Sequence, residues 1–232
     1  MATYYHPAGE GLDIGGDFCD VFPLDDGRWA FLLGDVCGRG AIAATTTALV
    51  RHTARAVAPL LPGPEDVVTA INRALTNRPD SHGTGFVTLV YGQLTPTPTG
   101  LDIELVRAGH TPPLHLDTHR TARPVDMPGV LLGISPHSHV TSRNVHLWPH
   151  ESLVLYTDGI TEARRPDGDM FGDQRLADAV SSAAGVPAAQ NVIEAVTQAV
   201  HTFTEGDDID DDQAILVLTA TEPQETPAAP PT

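Results

Sequence analysis

Four aspartates share one setting: Asp17 in Ile-Gly-Gly-Asp-Phe-Cys-Asp, Asp35 in Gly-Asp-Val-Cys-Gly-Arg-Gly, Asp158 in Tyr-Thr-Asp-Gly, and Asp211 in Asp-Asp-Asp-Gln. Each stands at the end of a predicted strand, where functional carboxylates tend to be exposed. Brought together, four carboxylates with no lysine nearby suit hard divalent cations such as Mg²⁺ or Mn²⁺, which take oxygen ligands. Asp25, Asp26, Asp167 and Asp169, each close to a turn glycine, read instead as turn residues.

The elements that must position these groups are legible in part. Gly16 to Leu24 and Arg28 to Val36 flank Asp25-Asp26-Gly27, a hairpin signal. If that loop has three residues, Leu24 pairs with Arg28, and counting back along both strands puts Asp17 opposite Asp35. Side chains so opposed lie about 5 Å apart at Cβ, and two like charges there repel unless a cation intervenes. A slip of one residue would spoil this pairing. Asp158 closes the apolar strand Leu153-Val-Leu-Tyr-Thr, and Asp211 and Asp212 precede Ala214-Ile-Leu-Val-Leu. Antiparallel pairing of those two strands would bring the end of one beside the start of the other.

Phe86 to Leu94 and Leu101 to Arg107 predict a second hairpin with a longer turn, and short strands are expected at 115–117, 144–147, 152–157 and 213–219. Helices are expected over Ala41–Ala58, Pro64–Asn77, Asp173–Ala184 and Ala188–Phe203, the second opening on Pro64-Glu65-Asp66. Strands in hairpins and helices in pairs argue for an α+β domain of antiparallel sheets covered by helices. The Pro-rich end without large apolar residues predicts a disordered tail over 221–232, leaving a domain over 1–220.

Composition narrows the function. The formal charge of −17 argues against a nucleic-acid partner, and since all 13 basic residues are Arg, the absence of Lys excludes a Gly-Lys-Ser/Thr phosphate loop. Two cysteines, Cys19 and Cys37, cannot frame a disulfide scaffold, and no apolar run suits a membrane span or signal peptide. A cytoplasmic protein with no membrane partner is expected. Each cysteine follows a candidate aspartate by two residues, the strand spacing that shares a face, which suggests a thiol sensitive to oxidation or Zn²⁺.

In order along the chain, Gly-Gly-Asp-Phe-x-Asp, Gly-Asp-Val-x-Gly-x-Gly, Arg107-Ala-Gly-His-x-Pro-Pro113, Leu131-Leu-Gly-Ile134, Leu155-Tyr-Thr-Asp-Gly-Ile-Thr-Glu-Ala163 and Asp-Asp-x-x-x-Leu-Val-Leu resemble the SpoIIE/RsbU branch of the PPM (type 2C) serine/threonine protein phosphatases. The resemblance covers about Tyr4 to Thr219. It implies an αββα sandwich with a centre of two Mn²⁺ or Mg²⁺ ions, or three, at one edge. By similarity Asp35 bridges two ions, the Val36 carbonyl completes the second ion's shell, Asp158 and Asp211 hold the first, and Asp17 binds the second; Asp212 is the alternate to Asp211. Gly38 and Gly40 turn the chain from the metal edge into a helix N-terminus suited to phosphate, and His110 is a candidate general acid or a loop-fixing hydrogen bonder. Cys37 stands where eukaryotic members carry a proton-donating histidine.

The implied substrate is a phosphorylated anti-sigma factor antagonist of the STAS type. The resemblance also implies control through the two helices after Gly-Asp-Val, a homodimer through them, or an upstream sensor domain belonging to a longer protein. Two rival readings are a pseudophosphatase that binds without turnover, and an acidic Ca²⁺-binding domain. The second lacks the Asp-rich twelve-residue loop with its terminal Glu.

Overall fold

The computed structural model describes residues 1–7, 15–25, 27–77, 85–183, 188–206 and 211–222. Asp26, Ile14 of the first motif, Ala184 and residues 223–232 of the expected tail lie outside them. Among these described residues, two five-stranded antiparallel sheets stack face to face. One contains β2 (Phe18–Pro23), β3 (Trp29–Val36), β4 (Val87–Thr97), β5 (Gly100–Ala108) and β8 (Ser142–Leu147), in that order. The other runs β1 (Ala2–His6), β10 (Gln213–Thr219), β9 (Ser152–Tyr156), β6 (Leu114–Leu116), β7 (Ala122–Pro124). Helices α1 (Ala41–Val57) and α2 (Pro64–Thr76) cover the first sheet, and α4 (Gly172–Ser182) and α5 (Ala189–Phe203) the second; α3 (Asp158–Thr161) is a single turn. The α+β expectation holds, as an αββα sandwich.

Strand alternation sorts the side chains into three apolar layers. Phe31, Leu33, Val90, Leu105, Leu155 and Leu216 fill the space between the sheets. Phe18, Leu32, Leu89 and Tyr91 face α1 and α2, while Val154, Tyr156 and Ile215 face α4 and α5. β3 is therefore buried on both faces, which is why it reads as an unbroken apolar run. On α1, Ala43, Thr46, Val50 and Ala54 recur at helical spacing toward the sheet, and Pro59 follows its last turn.

Two strand readings need correction. The first strand of the fold is not the one at Gly16 but β1, which pairs with β10 from Ala2↔Val217 to His6↔Gln213. Its pattern is mostly exposed, so no apolar alternation announced it. The second hairpin has a tighter turn than expected, because the strands continue to Thr97↔Gly100. Pro96 is tolerated there because β3 pairs with β4 no further than Leu94, so no neighbour on that side needs its missing N–H.

Candidate functional site

The β2/β3 register runs from Pro23↔Trp29 to Phe18↔Gly34, and Leu24 N–H donates to the Arg28 carbonyl at 2.8 Å, as the three-residue loop requires. The ladder continues past β2, for Val36 N–H donates to the Gly16 carbonyl at 3.1 Å. Asp17 thus stands opposite Asp35, on the face between the sheets. In the other sheet, Ile215↔Tyr156 sets an antiparallel register that brings Asp158 and Gly159 beside 211–213. Gln213 Nε2 donates to the Gly159 carbonyl at 3.0 Å and Thr157 N–H to the Ala214 carbonyl at 3.1 Å, locking that corner.

The two corners meet across the sandwich. Burial pushes the Asp17 carboxyl up to about 9, against a hydrogen bond with Thr157 that lowers it, and Asp35, Asp212 and Asp158 raise it further. Burial also pushes Asp35 up to about 6, with Asp158, Asp211 and Asp212 adding repulsion. Asp158, exposed at the start of α3, is raised by desolvation and then by Asp211. A ring of carboxylates that disfavour one another's charge is what a cation site presents before the cation enters. Asp17 is 9% exposed and its Oδ2 has no hydrogen-bond partner among the described residues.

Glycines keep this corner open. A Cβ on Gly16 would lie 2.3 Å from both Asp35 Oδ1 and the Val36 carbonyl oxygen. Gly38 and Gly40 serve differently: no atom crowds them, but φ of 113° and 76° places both in the left-handed region as the chain turns into α1.

Asp211 and Asp212 point to different surroundings. Asp212 is buried at 4% exposure, and its carboxylate accepts a hydrogen bond from Tyr5, whose hydroxyl burial and Asp212 together push up to about 12. Asp211 is exposed, 3.5 Å from Arg39 Nη2 of the β3–α1 loop, an ion pair worth little in open solvent. Sequence reasoning missed Tyr5 and Thr157. Thr157 lies within Tyr-Thr-Asp-Gly, and its hydroxyl also accepts the Ala214 N–H at 2.9 Å.

His110 has neither ring nitrogen free. Nδ1 accepts from the Thr88 hydroxyl at 2.7 Å, and Nε2 donates to the Tyr156 carbonyl at 3.1 Å. Burial first, and Arg107 as a lesser contribution, carry it down to about 4 despite the bond to Tyr156, so the ring is neutral. Cys19 shares the intersheet layer, where burial pushes its thiol up to about 12; Cys37 lies past the end of β3, exposed.

Among the described residues no group of three or more His, Cys, Asp or Glu side chains is drawn tightly enough to hold an ion as it stands. The chemistry of the donor set nevertheless fits a hard divalent ion. All donors are oxygens, Asp17 Oδ2 is buried and unpartnered among the described residues, and the absent Cβ of Gly16 leaves Asp35 Oδ1 and the Val36 carbonyl accessible side by side.

Comparison with known proteins agrees with this architecture. The model of the family described as stage II sporulation protein E (SpoIIE) matches residues 25–221. Protein IcfG of Synechocystis is 30% identical over 194 residues, covering 73% of this chain and 30% of IcfG. Phosphoserine phosphatase RsbU of Bacillus subtilis is 25% identical over 173 residues, 70% of this chain and 50% of RsbU. The chain thus spans from under a third to half of these relatives' lengths. Among solved structures, the RsbU and RsbW domains of a Mycobacterium tuberculosis protein superpose with a TM-score of 0.78 at 25% identity, covering 96% of this chain and 60% of that one. The PP2C phosphatase domain of SpoIIE from Bacillus subtilis superposes at 0.76 with 19% identity, covering 94% and 62%. No helix among the described residues is long and apolar enough to cross a membrane. With the family model spanning most of the chain and the sandwich shared, this protein belongs to the SpoIIE family, the SpoIIE/RsbU type of PP2C-like phosphatases.

Proposed function

We propose that the chain is a divalent-metal-dependent protein serine/threonine phosphatase domain, spanning 1–220, that hydrolyses a phosphoserine or phosphothreonine on a STAS-type anti-sigma factor antagonist. The observation that carries it is the meeting of both sheet corners at Asp17 and Asp35, with a buried Asp17 oxygen unpartnered among the described residues and with Asp158, Asp211 and Asp212 close enough to repel the Asp35 charge. Asp35 and the Val36 carbonyl would hold two Mn²⁺ or Mg²⁺ ions with Asp17, Asp158 and Asp211, and Asp212 as alternate. The chemistry such an ion pair supplies is a solvent nucleophile at neutral pH and charge neutralisation on the phosphoryl oxygens.

The chain's own residues do the rest. Asp17 and Asp35 are set by the β2/β3 ladder, Asp158 by the end of β9, and Asp211 by the start of β10, so the site depends on how the sheets pack. Gly38 and Gly40 aim the N-terminus of α1, whose partial positive charge favours an incoming phosphate. Attack on phosphorus breaks the phosphorus–oxygen bond to serine or threonine and leaves an alkoxide that takes a proton from solvent, since His110 has both nitrogens engaged. That engagement is also the one observation favouring a catalytically weak binding module.

The test is Mn²⁺-dependent hydrolysis of p-nitrophenyl phosphate and of a phosphoserine STAS protein, beside Asp158→Asn. Turnover in the parent and its loss in the variant support the enzyme; metal binding without turnover in either substrate supports the binding module.

A further inference from the structure

Among the described residues, the proposed chemistry leaves unused a groove along the side of the sandwich bounded by β1 and β2. Among the described residues β1 and β2 are each the last strand of their sheet, and they flank the same side, since Tyr5 of β1 reaches Asp212 and feels the charge of Asp17. A cleft of about 420 Å³ begins at Tyr5 and Asp17 and runs past Cys19 and Val21, with Arg51 of α1 on its rim. At Met1 and Val21 it meets a second hollow of about 200 Å³, walled by Trp29, Leu94, Leu101 and Leu218. The first is mixed in character and the second almost wholly apolar, and Trp29 at its mouth is 41% exposed.

The register supplies a length. Met1 lies at the far end of β1, because Ala2 pairs with Val217 while His6 pairs with Gln213 beside the carboxylates. Along the facing edge, the chain runs from Asp17 into β2 and past Val21 to Pro23, the partner of Trp29. At about 3.3 Å per residue, the hollow begins roughly 13 Å and centres up to roughly 20 Å from Asp17, or about four to six residues of extended chain.

We propose that this groove is the docking track of the phosphorylated partner: an extended segment whose phosphorylated residue sits at Asp17 and Asp35 and whose apolar side chain, about four to six residues away, fills the hollow at Trp29 and Leu101. The proposal rests on the phosphatase reading. A protein substrate lays the residues flanking its phosphoryl group on a surface continuous with the carboxylates, and the groove is such a surface. A formal charge of −17 makes overall electrostatic attraction a poor source of affinity for an anionic segment. Burial of an apolar anchor at a fixed distance supplies affinity and register without it.

The experiment uses fluorescein-labelled phosphoserine peptides, otherwise of Gly, Ser and Thr, with one Leu placed two to eight positions from the phosphoserine on either side. Binding is read by anisotropy and turnover by phosphate release, with p-nitrophenyl phosphate, too small to reach the hollow, as reference. The expected result is an optimum for Leu at four to six positions on one side, about tenfold over the other placements. In Trp29→Ala the optimum disappears relative to p-nitrophenyl phosphate turnover, and Trp29→Phe restores it. Equal affinity for every placement overturns the proposal, as does an optimum that survives Trp29→Ala. Self-association abolished by Trp29→Ala also overturns it, assigning the hollow to a second copy of the chain. Failure to hydrolyse p-nitrophenyl phosphate, with the placement optimum in binding retained, defeats the phosphatase reading and leaves the docking track standing.

Discussion

Asp17 stands directly across the β2/β3 ladder from Asp35, held there by the Val36 amide donating to the Gly16 carbonyl at 3.1 Å. Two carboxylates in that relation cost stability unless charge is removed from one of them, and burial has already pushed Asp17 up to about 9. Protons or cations at this edge relieve that cost, which links the fold here to its proposed chemistry.

Gly16→Ala places a methyl group 2.3 Å from Asp35 Oδ1 and from the Val36 carbonyl, and the backbone oxygen cannot swing aside. The expected outcome is a loss of Mn²⁺-dependent p-nitrophenyl phosphate hydrolysis of at least about 100-fold, comparable to removing a group that positions reacting atoms. Steady-state kinetics over a Mn²⁺ titration, with thermal melting as control, checks it.

Asp211→Asn and Asp212→Asn should part company. Asp211 is exposed and repels Asp35 and Asp158, so its replacement is expected to raise the Mn²⁺ concentration for half-maximal activity by about tenfold or more, in line with losing an ion ligand. Asp212 is buried against Tyr5 and the Gly15 backbone, so its replacement is expected to lower the melting temperature more than Asp211→Asn does. Equal effects of both variants on both readouts would contradict the division.

Arg55→Ala tests how α1 is fastened to β2. Arg55 grips the buried Asp20 with two hydrogen bonds of 2.6 and 2.7 Å and lies over the Phe22 ring, while Arg51 adds a contact of 3.4 Å. Since Arg55 is half exposed and Arg51 remains, the expected destabilisation is about 1–2 kcal/mol rather than the larger cost of a fully buried pair. Urea unfolding at pH 7 measures it.

Stability should fall with acid through His110. Its folded pKa is depressed to about 4 from the ordinary 6.5, so the unfolded chain binds the extra proton first. The contribution is fully present above about pH 6.5 and is lost as pH falls toward 4, up to roughly 3 kcal/mol at 1.4 kcal/mol per pKa unit. His110→Gln, which cannot titrate, is expected to flatten that part of the pH–stability curve, measured by denaturant unfolding between pH 4 and 7.

Local pattern determined a great deal on its own. The Asp-Asp-Gly turn between two alternating runs set the register that opposes Asp17 and Asp35, and the apolar runs ending at Thr157 and beginning at Ala214 set the antiparallel pair that gathers Asp158 with Asp211 and Asp212. Such signals are legible because the strand period of two and the turn residues act over a few neighbours. Only the tertiary structure decided that the mostly exposed Ala2–His6 closes a sheet, that Tyr5 and Thr157 bind Asp212 and Asp17, that Gly16 keeps the Val36 carbonyl clear, and that a groove leads away from the site. These depend on how the two sheets slide and twist over the shared layer of Phe31, Leu33, Leu155 and Leu216. That packing joins residues more than a hundred positions apart, so no local period records it.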